Sequence, residues 1–473
     1  MFLVSKSLKK TLHFVAYFFL LFLIQIHSFA VSVPDIFSNH MVLQQNAEIT
    51  IWGWGNTGEK ITITGSWDQK VVNVIANNLA QWKVTLNTPS SGGPYIIKIE
   101  GNNIIQIEDV LIGEVWLTSG QSNMEWTPNS GIDDGEQEVA KANYPGIRFF
   151  TVAHKTADAT QLDVSGKWEV CSPETMRGFS AIGYFFSKEL YQNLKTPIGV
   201  INSSWGGTPA EVWMNPKVVE ENRVLKSAAS KLTEVPWGPV QPGKAYHAMI
   251  APLTPFKIAG ALWYQGESNT GQAESYSELL TTLIANWRQE WGYDFPFYYV
   301  QIAPYKYDEL FVGAILRDEQ RQVMALPKTG MVVVSDIGNI EDIHPKNKKD
   351  VGMRLANLAL ASTYNKEGIP VSGPLYKQMK IEGNKVRIFF DHAENGLIMK
   401  GKELTHFEIA GADNNFVQAK AKIEGNSIVV YAQSIKLPVA VRFAWSNTAE
   451  PNLMNKEGLP ASTFRTDNGG PMK

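Results

Sequence analysis

The chain has 473 residues, too many for one hydrophobic core, so two to four domains are expected. Hydrophobic residues make up 44% and charged residues 19%, which excludes a disordered or fibrous protein. A formal net charge of −3 supplies no basic field for a phosphate backbone and argues against nucleic-acid binding.

In chain order, residues 1–30 read as a secretory signal peptide. Lys6, Lys9 and Lys10 form a positive head, Phe14 to Ile26 an apolar stretch too short for a membrane span, and Ser28-Phe29-Ala30 a small-x-small cleavage site. The mature chain is then secreted or periplasmic, with no membrane attachment after cleavage. Cys171 is the only cysteine, so no internal disulfide can form, and it reads as a small core residue.

Residues 31–108 carry short alternating runs such as Glu48–Trp54, Lys60–Thr64, Gln81–Leu86 and Tyr95–Glu100, with turn signals about every ten residues. This predicts an N-terminal β-sandwich with a structural role. From Asp109 the grammar changes. Apolar runs near Val115 and at 197–202, 258–264, 297–302 and 331–336 alternate with helix-like segments at 181–194, 275–290 and 348–362. Near-continuous apolar strands alternating with helices predict a three-layer α/β unit over 109–365. Residues 366–473 return to alternating strands and form a C-terminal β-rich region, with no internal repeat.

Four blocks carry chemistry, each just past a strand's C-terminal end. Ser119-Gly120-Gln121-Ser122-Asn123-Met124 puts Ser122 at a strand-end turn, where a hydroxyl nucleophile projects from a parallel sheet. Asn202-Ser203-Ser204-Trp205-Gly206-Gly207-Thr208 offers paired glycines whose N–H groups can approach an oxyanion, with Ser203 and Ser204 as rival nucleophiles. In Gln265-Gly266-Glu267-Ser268-Asn269, Gln265 is the first choice as side-chain oxyanion donor and Asn269 the reserve; Glu267 reads as a group holding the loop. Glu341-Asp342-Ile343-His344-Pro345 places carboxylates three and two residues before His344, the expected general base. His40, His154, His247, His392 and His406 lack that setting.

These blocks resemble the sialate O-acetylesterase branch of the SGNH hydrolases. The likeness extends over nearly the whole mature chain, from Met41-Val42-Leu43-Gln44-Gln45 to the closing Asn455–Asp467 segment. It implies an SGNH-type sheet, Ser122 as nucleophile, His344 as base, and Ser122 N–H with the Gly206-Gly207 turn as oxyanion donors. The wider superfamily spaces its acid three before the histidine, at Glu341 here, whereas the pattern of this branch favours Asp342. Its third block is Gly-x-Asn-Asp, where this chain has Gln265-Gly266-Glu267.

The activity implied is hydrolysis of O-acetyl esters, with 9-O-acetylated sialic acid first and acetylated xylan or another polysaccharide as the alternative. Asn123, Trp205, Glu267 and Asn269 are expected to bind substrate. A sialic acid carboxylate calls for an arginine, Arg317 or Arg321, unless those make surface salt bridges. A neutral glycan would favour Trp126, Trp205, Trp213 and Tyr264. No cofactor or metal is expected, since His-Glu-x-x-His and dense ligand clusters are missing from the sequence. Two rivals are a non-catalytic carbohydrate-binding protein and a lipid esterase. The latter should carry an apolar lid where Pro128–Gly135 is polar.

Overall fold

The computed structural model describes residues 31–467; the expected signal peptide lies outside them. Seven strands form the central sheet: β1 (Ile104–Gly120), β2 (Tyr144–Thr151), β3 (Trp168–Cys171), β4 (Ile198–Ser204), β5 (Gly260–Tyr264), β6 (Phe297–Val300) and β7 (Thr329–Val332). Their order is β7-β6-β5-β1-β4-β2-β3. All neighbours pair in parallel except β2 and β3, so the sheet is mixed.

The apolar runs are strands because both faces are covered. Every residue of β4 and β5 is buried. Along β1, Val115 and Leu117 enter one core while Trp116 enters the other, as the period of two requires. A short helical turn, α1 (Ser122–Glu125), follows β1. Helices α2 (Ala181–Leu194) and α5 (Lys348–Ser362) line the Trp116 side, and α3 (Tyr276–Trp291) lines the opposite side. The Ser180 side chain accepts from Gly183 N–H to start α2, and its hydroxyl donates to Met124 O at 2.6 Å, fixing that helix to α1. The start of α5 is capped by Asn347, which accepts from Asp350 N–H, two residues after Pro345.

N-terminal strands Glu48–Trp54 and Gln81–Asn87 pair antiparallel. Lys60–Gly65, Val71–Ile75 and Gly92–Glu100 build a second sheet onto β1. One 17-residue strand therefore serves both the N-terminal and central sheets. Asp109 sits where the two meet, at φ 54°, held by Arg148 Nη1 at 2.6 Å and His40 Nδ1 at 2.7 Å.

In the C-terminal region, two four-stranded sheets share a core that includes Ile388, Val430, Phe407, Phe443 and Phe464. This region docks on α4 (Val312–Gln322) through Arg317, which is buried and donates to Thr463 Oγ1 at 3.0 Å and Ser446 O at 2.5 Å. Arg321 pairs with Asp318 at 2.8 Å. Both guanidinium groups are thus committed to protein partners, which corrects their proposed role toward a substrate carboxylate. The whole is a mixed α/β protein with a central mixed sheet and additional all-β sheets.

Candidate active site

Strands β4, β1 and β5 end level with one another: Ser204 pairs with Gly120, and Gly120 with Tyr264. Because β1 is flanked on both sides by later strands, a crevice opens at their C-terminal edge, where open α/β sheets bind ligands. The turn into α1 needs glycine. Gly120 has φ +131°, and a β-carbon there would lie 2.2 Å from Tyr264 O.

Ser122 opens α1, and its Oγ lies 2.8 Å from His344 Nε2, across 222 positions of sequence. That contact suits proton transfer from hydroxyl to imidazole. The His344 ring stacks on Trp126, with centroids 4.5 Å apart. Burial first, and then the nearby Lys348 cation, hold its pKa below the ordinary 6.5, while Asp342 opposes them; the imidazole is thus neutral and competent as a base at neutral pH. Asp342 Oδ1 accepts the His344 backbone N–H at 3.0 Å and stands 3.7 Å from Nδ1, an ion-pair distance beyond hydrogen-bond reach. Glu341 points toward Lys306, 3.9 Å away, so Asp342 is the carboxylate beside the ring. The rival serines are turned inward: Ser203 Oγ donates to Met249 O and Ser204 Oγ to Asn202 Oδ1.

Behind this pair lies a buried polar network that the sequence did not reveal. Lys348 Nζ donates to Asn123 Oδ1 at 2.5 Å. Asn123 Nδ2 donates to Glu267 Oε1 at 2.7 Å and to Ile343 O at 3.0 Å. Burial lowers the Lys348 pKa to about 7 and raises that of Glu267. Asn123, expected to touch substrate, instead joins the nucleophile turn to the histidine loop. Its amide and carbonyl are both committed.

The oxyanion assignments also change. Gly206 N–H donates to Glu125 Oε2 at 2.6 Å, so it is not an available oxyanion donor in this arrangement. Gln265 is fully buried and donates through Nε2 to Asn269 Oδ1 at 2.7 Å and Thr208 O at 3.2 Å. Asn269 donates to Glu211 Oε2 at 2.8 Å and accepts from Ala210 N–H. Both amides therefore brace the loop after β4, which corrects Gln265 as oxyanion donor and Asn269 as reserve donor and substrate ligand. Ser122 and Gly207 remain. As the first residue of α1, Ser122 has an N–H with no intrahelical acceptor.

A cavity of about 860 Å³ opens over Ser122 and His344. Trp205 and Glu267, expected to bind substrate, line it, and so do Glu125, His154, Lys231 and Trp237, which were not singled out as site residues. His154 Nε2 contacts Glu125 Oε1 at 2.8 Å, and its ring stacks on Trp205, 4.3 Å away and 4° from parallel. The hydrogen bond to Glu125 raises the His154 pKa, favouring the ion pair. Trp213 and Tyr264 are fully buried and Trp126 backs His344; none of the three lines the cavity.

A strand-end serine in contact with a histidine, inside an open cavity of an α/β sheet, is an arrangement suited to ester hydrolysis. Residues 112–361 match the family described as carbohydrate esterase, sialic acid-specific acetylesterase, and the chain belongs to that family. The sialate O-acetylesterase of Rattus norvegicus is 27% identical over 478 residues, covering 86% of this chain and 88% of the relative. That of Homo sapiens is 28% identical over 457 residues, covering 86% of each. A crystal structure of a carbohydrate acetylesterase from Xanthomonas citri superimposes with a TM-score of 0.85 and 37% identity, covering 93% of this chain and all of that one. The chain is a carboxylic ester hydrolase, a carbohydrate O-acetylesterase.

Proposed function

We propose that this protein removes acetyl groups from O-acetylated sugars by a serine mechanism on an SGNH-type three-layer sheet, with residues 109–365 as the catalytic unit. Ser122 Oγ attacks the acetyl carbonyl while His344 Nε2 takes its proton. Ser122 N–H and Gly207 N–H stabilise the oxyanion. The imidazolium then protonates the departing sugar oxygen, leaving an acetyl-serine. Water, deprotonated by the same imidazole, releases acetate and restores Ser122. Asp342 keeps the His344 loop in place and stabilises the imidazolium. The observation that carries this reading is the 2.8 Å contact between Ser122 and His344. Export, with residues 1–30 as signal peptide, belongs to the same proposal.

The curated relatives favour O-acetylated sialic acid as substrate. A neutral polysaccharide is the second reading, supported by Trp205 and Trp237 at a cavity whose lining includes Lys231 but no arginine. Acetate release should be measured from free and glycan-linked 9-O-acetylated sialic acid and from acetylated xylan. A preference of at least about tenfold, roughly 1.4 kcal/mol in transition-state binding, identifies the substrate class. Failure to release acetate from any of them, or from a chromogenic acetate ester, would remove the esterase reading.

A further inference from the structure

We infer that the protein has an outer glycan subsite across Trp237, which takes the sugar ring adjoining the acetylated one. The inference rests on the acetylesterase reading and extends it from a single sugar to a chain.

Trp237 is 61% exposed, an unusual position for so large an apolar side chain. It is held rather than loose. Its carbonyl accepts from Trp205 Nε1 at 2.9 Å, and its indole lies against Gly207, where a β-carbon would come within 2.2 Å of Nε1. Gly207 has φ +72°, so the left-handed turn and the close approach of the indole both require glycine there.

Trp237 and Trp205 divide two hollows and line both. One is the active-site cavity of about 860 Å³. The other, about 350 Å³, is lined by Trp205, Trp237, Pro236 and Pro239 together with the polar Thr156, Gln241 and Lys244. The inner cavity alone is near the upper end of the roughly 300–1,000 Å³ of small-ligand sites, more than an acetylated monosaccharide needs. The outer hollow adjoins it through the shared Trp205 and Trp237, and its lining sets indole and proline rings beside hydroxyl, amide and ammonium groups. Sugar rings match that combination: apolar C–H faces that lie on an indole, and hydroxyls that reach polar groups. A lipid chain would need no such groups.

The test compares kcat/KM for free and chain-linked substrates: 9-O-acetylated sialic acid against its sialyllactose form, and acetylated xylose against acetylated xylotetraose. In the substrate class that is turned over, the linked form should be favoured by about tenfold, mainly through KM. Trp237→Ala should bring that ratio to within about twofold of one, and Trp237→Phe should keep most of it, since an aromatic face remains. A wild-type ratio near one, or a ratio unchanged in Trp237→Ala, would overturn the subsite. A fall in Trp237→Ala that is equal for free and linked substrates would also overturn it, because Trp237 would then only prop the Gly207 turn. A wild-type protein inactive on a chromogenic acetate ester would point instead to failure of the esterase reading.

Discussion

Ser122→Ala and His344→Gln are each expected to lower kcat on a chromogenic acetate ester by about 10⁴–10⁶, and the double variant by no more than either alone. Non-additivity is the signature, because the 2.8 Å Oγ–Nε2 contact makes the two side chains one proton-transfer unit. Ser122→Ala removes one partly exposed hydroxyl, so the melting temperature should move by about 2 °C or less. Asp342→Asn should cost only about 10–100-fold. Its Oδ1 stands 3.7 Å from Nδ1, and the side chain is partly open to solvent, so it orients less firmly than a buried, bonded aspartate. Glu341→Gln should stay within about twofold of wild type, like other exposed substitutions remote from the ring. A loss for Glu341→Gln larger than that for Asp342→Asn would reverse the assignment.

Lys348→Met should change the pH dependence of both activity and stability. A base must be neutral to act, so kcat/KM rises with pH through the His344 pKa, which burial and Lys348 hold below 6.5. Removing the cation lets that pKa rise. The acid limb then moves to higher pH, and the variant loses several-fold more activity near pH 5.5 than near pH 8. For stability, the folded Lys348 pKa of about 7 lies below its ordinary 10.5. Between those values the unfolded chain binds the proton that the folded chain has released, so stability from this group rises with pH. The gain is on the order of a few kcal/mol. Urea midpoints measured near pH 7 and near pH 10 should show that rise in wild type and its loss in Lys348→Met.

Much of this site was legible because its parts lie where parallel strands stop. The apolar runs of β1, β4 and β5 are visible in the sequence since both sheet faces are covered, and the loops after them carry Ser122, Gly206-Gly207 and Gln265. His344 stood out from the other histidines through its neighbouring carboxylates. Strand β2 was harder to see, because Pro145 and Gly146 interrupt its start. With it went His154, just past that strand's end and inside the cavity.

Direction of side chains was the other hidden quantity. Nothing in Gln265 or Asn269 says whether an amide faces substrate or its own loop; here the backbone at Thr208 and Ala210 claims them. Arg317 faces the C-terminal region because carbonyls there satisfy its guanidinium. Lys348 begins a helix, where a lysine is ordinarily solvated, and only the packing of Trp126, Tyr264 and Asn123 around it makes it a buried cation. Glu125 could have been noticed, since it directly follows the Gln121-Ser122-Asn123-Met124 block.

Covalent trapping with a fluorophosphonate, followed by intact-mass and peptide mapping, tests the nucleophile most directly. The account predicts one adduct per chain, on the peptide bearing Ser122, formed far more slowly in His344→Gln and absent in Ser122→Ala. An adduct on Ser203, Ser204 or any other residue, or full acetate release by Ser122→Ala, would contradict it.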